Sequence, residues 1–184
     1  MRAEKPVIVY VTSDDATDST TRKLEEVVFK SEQLGVGAKF FDTVKMSAGD
    51  AMQDRVLKDA GKSEPRLVFL NRDYTVNTVL ESKSLSSGRI TKAMESLVRD
   101  NYSDNFDSMV KEYIKLLNEM DRLEGKKSTL ADQRARLADK PNAGKAKKLD
   151  REEEEIRVEG EKLAAREKGL LSFKAKGEES KPEA

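Results

Sequence analysis

The chain has 184 residues, of which 38% are charged and only 5% are aromatic. One globular domain of this length carries less charge and more core-forming material, so we expect one domain of ordinary size with a highly charged appendage. The 35 basic and 35 acidic residues balance, and neither half of the chain has an excess of positive charge. This balance argues against a general nucleic-acid or anionic-membrane binder, so neither partner is expected.

The sequence contains neither cysteine nor histidine. Without cysteine there is no disulfide, thiolate nucleophile or Cys-ligated zinc, and without histidine the commonest general base and metal ligand are missing. We therefore expect no catalytic residue, no metal and no cofactor. The absence of a long apolar segment or an export signal predicts a soluble chain. Its compartment stays open: cytoplasmic as the sequence stands, exported if a signal was removed.

Short β-branched apolar runs alternate with helical periodicity up to about residue 100. The predicted strands are Val7–Val11, Ala38–Phe41, Arg66–Leu70 and Thr75–Leu80. The predicted helices run through Leu24 and Leu34 to Gly35, from the capping sequence Ser47–Asp50 to Gly61, and onward from Ser87. The order βαβαββα makes the first two strands parallel and the last two antiparallel. The fold class is therefore α/β, with a mixed four-stranded sheet and helices on both faces.

This arrangement resembles the thioredoxin-like fold over roughly residues 5–101. The first strand runs into a polar loop and a long helix, which is where thioredoxins carry Cys-x-x-Cys. Pro65 directly precedes the third strand, in the position of the family's cis-proline. Phe69–Tyr74 matches the family's hairpin, and Leu85–Ile90 resembles the entry to its terminal helix. The resemblance implies a thioredoxin-like domain over residues 1–101, with a cis bond before Pro65, although a proline that starts a strand in trans is the simpler alternative.

The redox machinery of that family is missing. The positions of Cys-x-x-Cys are occupied by Ala16, Thr17, Asp18 and Ser19. The aromatic residue that precedes the motif becomes Asp15, and the buried acid of the preceding strand becomes Tyr10. The resemblance therefore implies a redox-inactive domain, not an enzyme.

The cis-proline loop of the family lines a substrate groove. The resemblance implies that this groove remains a protein- or peptide-docking surface, formed by Asp15, Glu64 and Pro65. A divalent-metal site at Asp14, Asp15 and Asp18 is the alternative for the acidic loop. We favour helix capping there, because Asp and Ser before a helix satisfy its free N–H groups.

Heptad spacing dominates the chain after residue 102. The predicted coiled-coil seam consists of Phe106, Met109, Leu116, Leu123, Leu130, Leu149, Ile156, Leu163, Leu170 and Phe173. Pro141 and Gly144 interrupt the pattern at a turn near residues 139–144. The seam residues on the two sides of this turn pair with a constant index sum of 279, as Leu130 does with Leu149. We predict an antiparallel helical hairpin over residues 102–173 and a disordered tail over residues 174–184.

Several apolar residues of the predicted arm lie off this seam. They are Val110, Ile114, Leu117, Val158 and Leu171. If they are exposed, the arm self-associates or docks another protein, and we favour a homodimer through the arm. A two-helix spacer that stands alone is the other alternative.

These observations predict a non-catalytic interaction or scaffold protein, with a thioredoxin-like docking domain and a coiled-coil arm. The identity of its protein partner is open. One alternative is a chaperone-like holdase that uses apolar arm surface. Another is an enzyme with non-thiol chemistry that uses Ser13, Thr17 or Ser19 on a thioredoxin scaffold, without a histidine base.

Overall fold

The computed structural model describes residues 5–13, 18–139 and 142–176. They form two compact units. The first comprises the described residues up to Val110 together with those from Ser172 onward, and the second comprises Lys111–Leu171. Residues 177–184 of the predicted tail lie outside the described residues.

The first unit is built on a mixed four-stranded sheet in the order β2-β1-β3-β4. Its strands are β1 (Val7–Thr12), β2 (Asp42–Ser47), β3 (Arg66–Leu70) and β4 (Val76–Glu81). β1 is parallel to β2 and antiparallel to β3, and β3 is antiparallel to β4. The predicted mixed sheet and the predicted orientations of its strand pairs are confirmed.

Helices cover both faces of this sheet. They are α1 (Ser19–Lys23), α2 (Glu32–Ala38), α3 (Ala48–Gln53) and α4 (Ser87–Asn101), with a π-helical turn at Leu24–Val28 and 3₁₀ turns at Leu57–Asp59 and Ser82–Ser84. On one face, the valines of β1 pack with Ala48 and Ala51 of α3. On the other, Ile8 lies beside Leu34 of α2 and Ile90 of α4. Because β1 and β3 are central strands that are covered on both faces, their sequences are continuous apolar runs.

The prediction of a strand at Ala38–Phe41 is wrong. The second strand is β2, and the predicted segment consists of Ala38 at the end of α2 and the turn between α2 and β2. Phe40 and Phe41 are buried there, 0% and 5% exposed, by packing against other aromatic rings. β2 itself is an edge strand whose first four residues are exposed, so it has no apolar run that would mark it in the sequence.

The single helix predicted between the first two strands is interrupted. α1 leads into the π-helical turn, in which the Phe29 N–H donates to the Leu24 carbonyl at 2.9 Å. The chain then restarts at α2, and Gly35 lies inside that helix instead of at its end. A π turn widens a helix locally, which shifts the faces of the residues that follow it.

Five aromatic side chains form a cluster in the first unit. Its members are Phe40, Phe41, Tyr102, Phe106 and Phe173. The Phe106 ring stands edge-on to Phe41 at 5.4 Å between centroids and to Phe40 at 5.9 Å. The Phe173 ring lies 4.7 Å from Tyr102, 6.1 Å from Phe40 and 6.3 Å from Phe41. Phe106 and Phe173, which heptad spacing predicts as seam residues, thus both pack within the first unit.

Backbone pairing holds the returning chain beside this cluster. Tyr102 forms an isolated antiparallel bridge with Ala175, and the Ser103 N–H donates to the Lys174 carbonyl at 2.9 Å. The Lys176 N–H donates to the Asn101 carbonyl at 3.1 Å. Residues 174–176, predicted as the start of the tail, are therefore paired with residues 101–103.

Two long helices follow α4. They are α5 (Phe106–Asp139) and α6 (Ala143–Leu170). Asn142 caps α6 by accepting the Lys145 N–H at 2.9 Å, and residues 140–141 of the predicted turn lie outside the described residues. Six predicted seam residues are buried, namely Phe106, Leu116, Leu123, Leu130, Leu149 and Leu163. Ile156, Leu170 and Met109 are partly buried. Within the described part of the chain, no helix is both long enough and apolar enough to cross a membrane.

The ion pairs between the two helices do not fit the predicted pairing. Lys126 pairs with Glu159 at 2.8 Å, Arg134 with Asp150 at 2.7 Å and Arg166 with Glu119 at 2.9 Å. Each partner lies about one heptad beyond the residue that the constant index sum predicts. Heptad spacing repeats every seven residues, so it allows either pairing.

The offset can be tested with disulfides, because the chain has no cysteine of its own. We expect the double variant Leu130→Cys/Ile156→Cys to form an intramolecular disulfide on mild oxidation, because the ion pairs Lys126–Glu159 and Arg134–Asp150 flank these two positions. Leu130→Cys/Leu149→Cys is the matched control and should stay reduced. Non-reducing electrophoresis and intact mass report the bond. The opposite result would restore the pairing predicted from the sequence.

The aromatic cluster predicts a large effect at a residue far along the chain from the sheet. Phe173→Ala should lower the free energy of unfolding by about 2 kcal/mol, since it removes ring contacts to Tyr102, Phe40 and Phe41 from a partly buried position. Tyr74→Ala, at a ring that is 40% exposed, is the control and should cost less than about 0.5 kcal/mol. Urea unfolding measures both. Equal effects would mean that the cluster does not stabilise the unit.

Candidate functional site

The positions predicted for the lost redox motif are only partly described. Ala16, Thr17 and Asp15 lie outside the described residues, as does Asp14 of the alternative metal site. Asp18 is the N-cap of α1: its carboxylate accepts the Thr21 N–H at 2.7 Å and the Thr21 hydroxyl at 2.6 Å. The hydroxyl bond, with the backbone bond beside it, lowers the pKa of Asp18. Capping by Asp18 is confirmed, and Ser19 is the first residue of the helix.

The loop before β3 is held from two sides. Glu81 of β4 accepts the backbone N–H groups of Lys62 and Ser63, and these bonds hold the pKa of its carboxyl below the usual value. The Ser82 N–H donates to the Pro65 carbonyl at 3.0 Å, and the Ser82 hydroxyl donates to the Glu64 carbonyl at 3.2 Å. The Glu64–Pro65 peptide bond is cis.

Glu64 and Pro65 differ in accessibility. Pro65 is buried, whereas the Glu64 side chain is 34% exposed and lies 3.5 Å from Arg66 Nη1. Arg66 is only 2% exposed, and its Nε has no hydrogen-bond partner among the described residues. Of the predicted docking groove, the described part therefore offers one carboxylate on a well-fixed loop, and Pro65 contributes little surface.

The structure contains a second candidate site that the sequence did not indicate. It is an apolar cavity of about 280 Å³ on the face of the sheet covered by α2 and α4. The lining residues are Ile8, Tyr10, Phe29, Leu34, Gly35, Ala38, Thr43, Val44, Lys45, Leu67, Ile90 and Met94. All of them belong to the first unit.

The interrupted helix accounts for the position of this cavity. Phe29 ends the π-helical turn, and its ring meets Tyr10 edge-on at 5.1 Å. Three residues later the chain starts α2, which brings Leu34 and Ala38 to the cavity wall. One straight helix would present its residues at a regular 3.6-residue period, so the break changes which side chains reach the sheet.

Tyr10 is one of the three polar residues that line this cavity, with Thr43 and Lys45. The residue is 8% exposed, and its hydroxyl is buried without a hydrogen-bond partner among the described residues. Burial, together with the nearby Glu25 carboxylate, raises the pKa of Tyr10 well above its ordinary value, so the hydroxyl is neutral at physiological pH. Glu25 and Thr21 lie close enough to this hydroxyl to influence its pKa through hydrogen bonding, so an acceptor on a ligand would compete with them.

One ion pair lies at the edge of the same site. Lys45 Nζ lies 2.8 Å from Glu25 Oε1 and 5.8 Å from the centre of the Tyr10 ring. The hydrogen bond from Lys45 lowers the pKa of Glu25. Because each charge already has its partner, the pair does not mark the site as one for an ionic ligand.

Among the described residues, no group of three or more His, Cys, Asp or Glu side chains is close enough to hold a metal ion. The cavity wall holds the buried Tyr10 phenol, Thr43 and Lys45 also line it, and the Glu25 carboxylate lies near Tyr10. The sequence did not predict the residues of this cavity, because they come from separate segments. Each of them also fits the pattern of an ordinary core position.

Exposed apolar surface lies on the first unit. The large hydrophobic residues that are exposed among the described ones are Val27, Val44, Met52, Tyr74 and Val76. On the arm, Val110 is buried at 7% exposure, contrary to the expectation that it is exposed, and belongs to the first unit. Ile114, Leu117, Val158 and Leu171 are each partly buried.

No protein-family model matches this chain, and no curated protein is significantly similar to it.

The loop before Pro65 generates a prediction at Gly61. Its φ is +89°, and a Cβ there would lie 3.0 Å from both Arg66 Cδ and Val79 Cγ1. Gly61→Ala should therefore lower the free energy of unfolding by about 2 kcal/mol, through backbone strain and crowding.

Gly125→Ala is the matched control. It lies within α5, and no atom beyond its own helix backbone and chain neighbours comes within 4 Å of the added methyl group. That variant should instead gain up to about 1 kcal/mol from helix propensity. Urea unfolding compares the two, and a neutral effect at Gly61 would contradict the tight packing of the loop.

Proposed function

We propose that this chain is a non-catalytic protein-interaction module, in which a thioredoxin-like domain supplies the docking surface and the helical arm serves self-association or partner docking. Support for the domain comes from the strand order β2-β1-β3-β4, the parallel β1–β2 pair and the position of Pro65 before β3. The chain has no cysteine for thiol chemistry on that scaffold. Fold alone does not assign a function, so the proposal depends on the surface.

The observation that carries the proposal is exposed apolar side chains on both edge strands. Val44 of β2 is 43% exposed and Val76 of β4 is 39% exposed. An edge strand presents backbone N–H and C=O groups that an extended segment of a partner can pair with, and apolar neighbours add specificity. β2 is the better candidate, because Val44 also lines the apolar cavity.

The arm receives less support as a docking surface. Its buried leucines face each other within the hairpin, and its charges pair across it, as Arg166 does with Glu119 at 2.9 Å. Such a hairpin satisfies its own apolar seam and suits the role of a spacer. A homodimer through the arm stays a prediction.

Site-specific photocrosslinking tests the proposal in the cells that produce the protein. We replace Val44 with benzoyl-phenylalanine, and in separate variants Glu64 or the exposed Glu154 of α6. We expect Val44 to give a discrete adduct with another protein, identified by mass spectrometry, because a docked segment would lie against it.

The three positions separate the alternatives. An adduct of two copies of the chain at Glu154 would support self-association through the arm. Adducts with a partner at Glu154 and none at Val44 would move the docking surface to the arm. No adduct at any position would contradict an interaction role.

A further inference from the structure

The apolar cavity beside Tyr10 is larger than a packing defect of ordinary size. At about 280 Å³ it is nearly twice the volume of an engineered cavity of about 150 Å³ that binds benzene. Protein interiors otherwise leave few voids larger than a water molecule. By this comparison the cavity accommodates a ligand of about 10–13 non-hydrogen atoms.

The walls specify the chemistry of an occupant. Leu34, Ile90 and Met94 present aliphatic and thioether surface, and Phe29 presents an aromatic ring. Apolar walls of this kind favour an apolar occupant, because filling the space restores the contacts that the wall atoms otherwise lack.

The Tyr10 hydroxyl adds one polar requirement. It is buried and neutral and makes no well-formed hydrogen bond among the described residues, although Glu25 lies close to it, and a buried donor without a well-formed hydrogen bond is unfavourable. A ligand with one acceptor oxygen would pair it. The Glu25 carboxylate near Tyr10 disfavours an anion, and Lys45 is already paired with Glu25.

We propose that this cavity is a binding site for a small neutral apolar molecule that carries a single hydrogen-bond-accepting oxygen, such as a ketone, with Tyr10 as the donor. The site shares Val44 with the docking surface proposed above, but ligand binding in the cavity does not depend on the docking function. No covalent step is involved, since the ligand is held by burial and one hydrogen bond.

A matched pair of probes tests both parts of the proposal on the full chain. 1-Acetonaphthone has an acceptor oxygen, and 1-isopropenylnaphthalene has nearly the same shape without it. Both should bind with one-to-one stoichiometry in isothermal titration calorimetry, with the ketone about 5-fold tighter, as one net hydrogen bond provides. No saturable binding of either probe would overturn the site.

Tyr10→Phe separates the polar anchor from the apolar cavity. This variant should bind the hydrocarbon as the original protein does and should lose the preference for the ketone. A preference that persists in Tyr10→Phe would overturn the role of Tyr10. The change removes only a buried hydroxyl without a well-formed hydrogen bond, so the fold should tolerate it.

Ala38→Phe tests the location by filling the cavity. It should weaken binding of both probes by at least 10-fold, whereas Ala138→Phe, at an exposed position on α5, should leave binding unchanged. If Ala38→Phe does not fold, NMR shift changes in the original protein decide the location. Changes centred on Ile8, Leu34 and Met94 support the cavity, and changes confined to the exposed residues around Met52 overturn it.

Discussion

The aromatic cluster is the interaction on which the first unit depends, because it joins segments that are far apart in the sequence. Phe40 and Phe41 come from the turn before β2, Tyr102 from the end of α4, and Phe106 from the start of α5. Phe173 arrives after the two long helices, and backbone pairing between residues 101–103 and 174–176 keeps it in place. Residues 111–171 separate Phe106 from Phe173 in the sequence, yet both rings pack in the same cluster of the first unit.

This packing also clarifies where binding is possible. The loop at Pro65 is fixed by Glu81 and Ser82 and offers little accessible surface apart from Glu64. By contrast, the break in the first helix leaves an apolar cavity, and Val44 on an edge strand lies at its wall. The cavity lies on the face of the sheet that α2 and α4 cover, and Tyr10 of the central strand β1 lines it.

Sequence patterns predicted those elements whose signal is local. The central strands β1 and β3 are buried on both sides and are continuous apolar runs, so they were placed correctly. β2 was misplaced because an edge strand has exposed residues, while the adjacent Phe40 and Phe41 have the composition of a strand but are buried by a tertiary cluster. Heptad spacing identified Leu116, Leu123, Leu130, Leu149 and Leu163 as buried. It could not choose between two pairings one heptad apart, because both bury the same leucines.

The sequence by itself determined the exclusion of thiol chemistry, the order of strands and helices, and the presence of two long heptad helices. These follow from composition and from periodicities that neighbouring residues carry. Tertiary structure alone decided the offset of the hairpin, the role of Phe106 and Phe173 in the first unit, and the cavity beside Tyr10. Each of these depends on contacts between side chains that are far apart in the sequence. The local sequence pattern of one segment does not specify which distant segment it contacts.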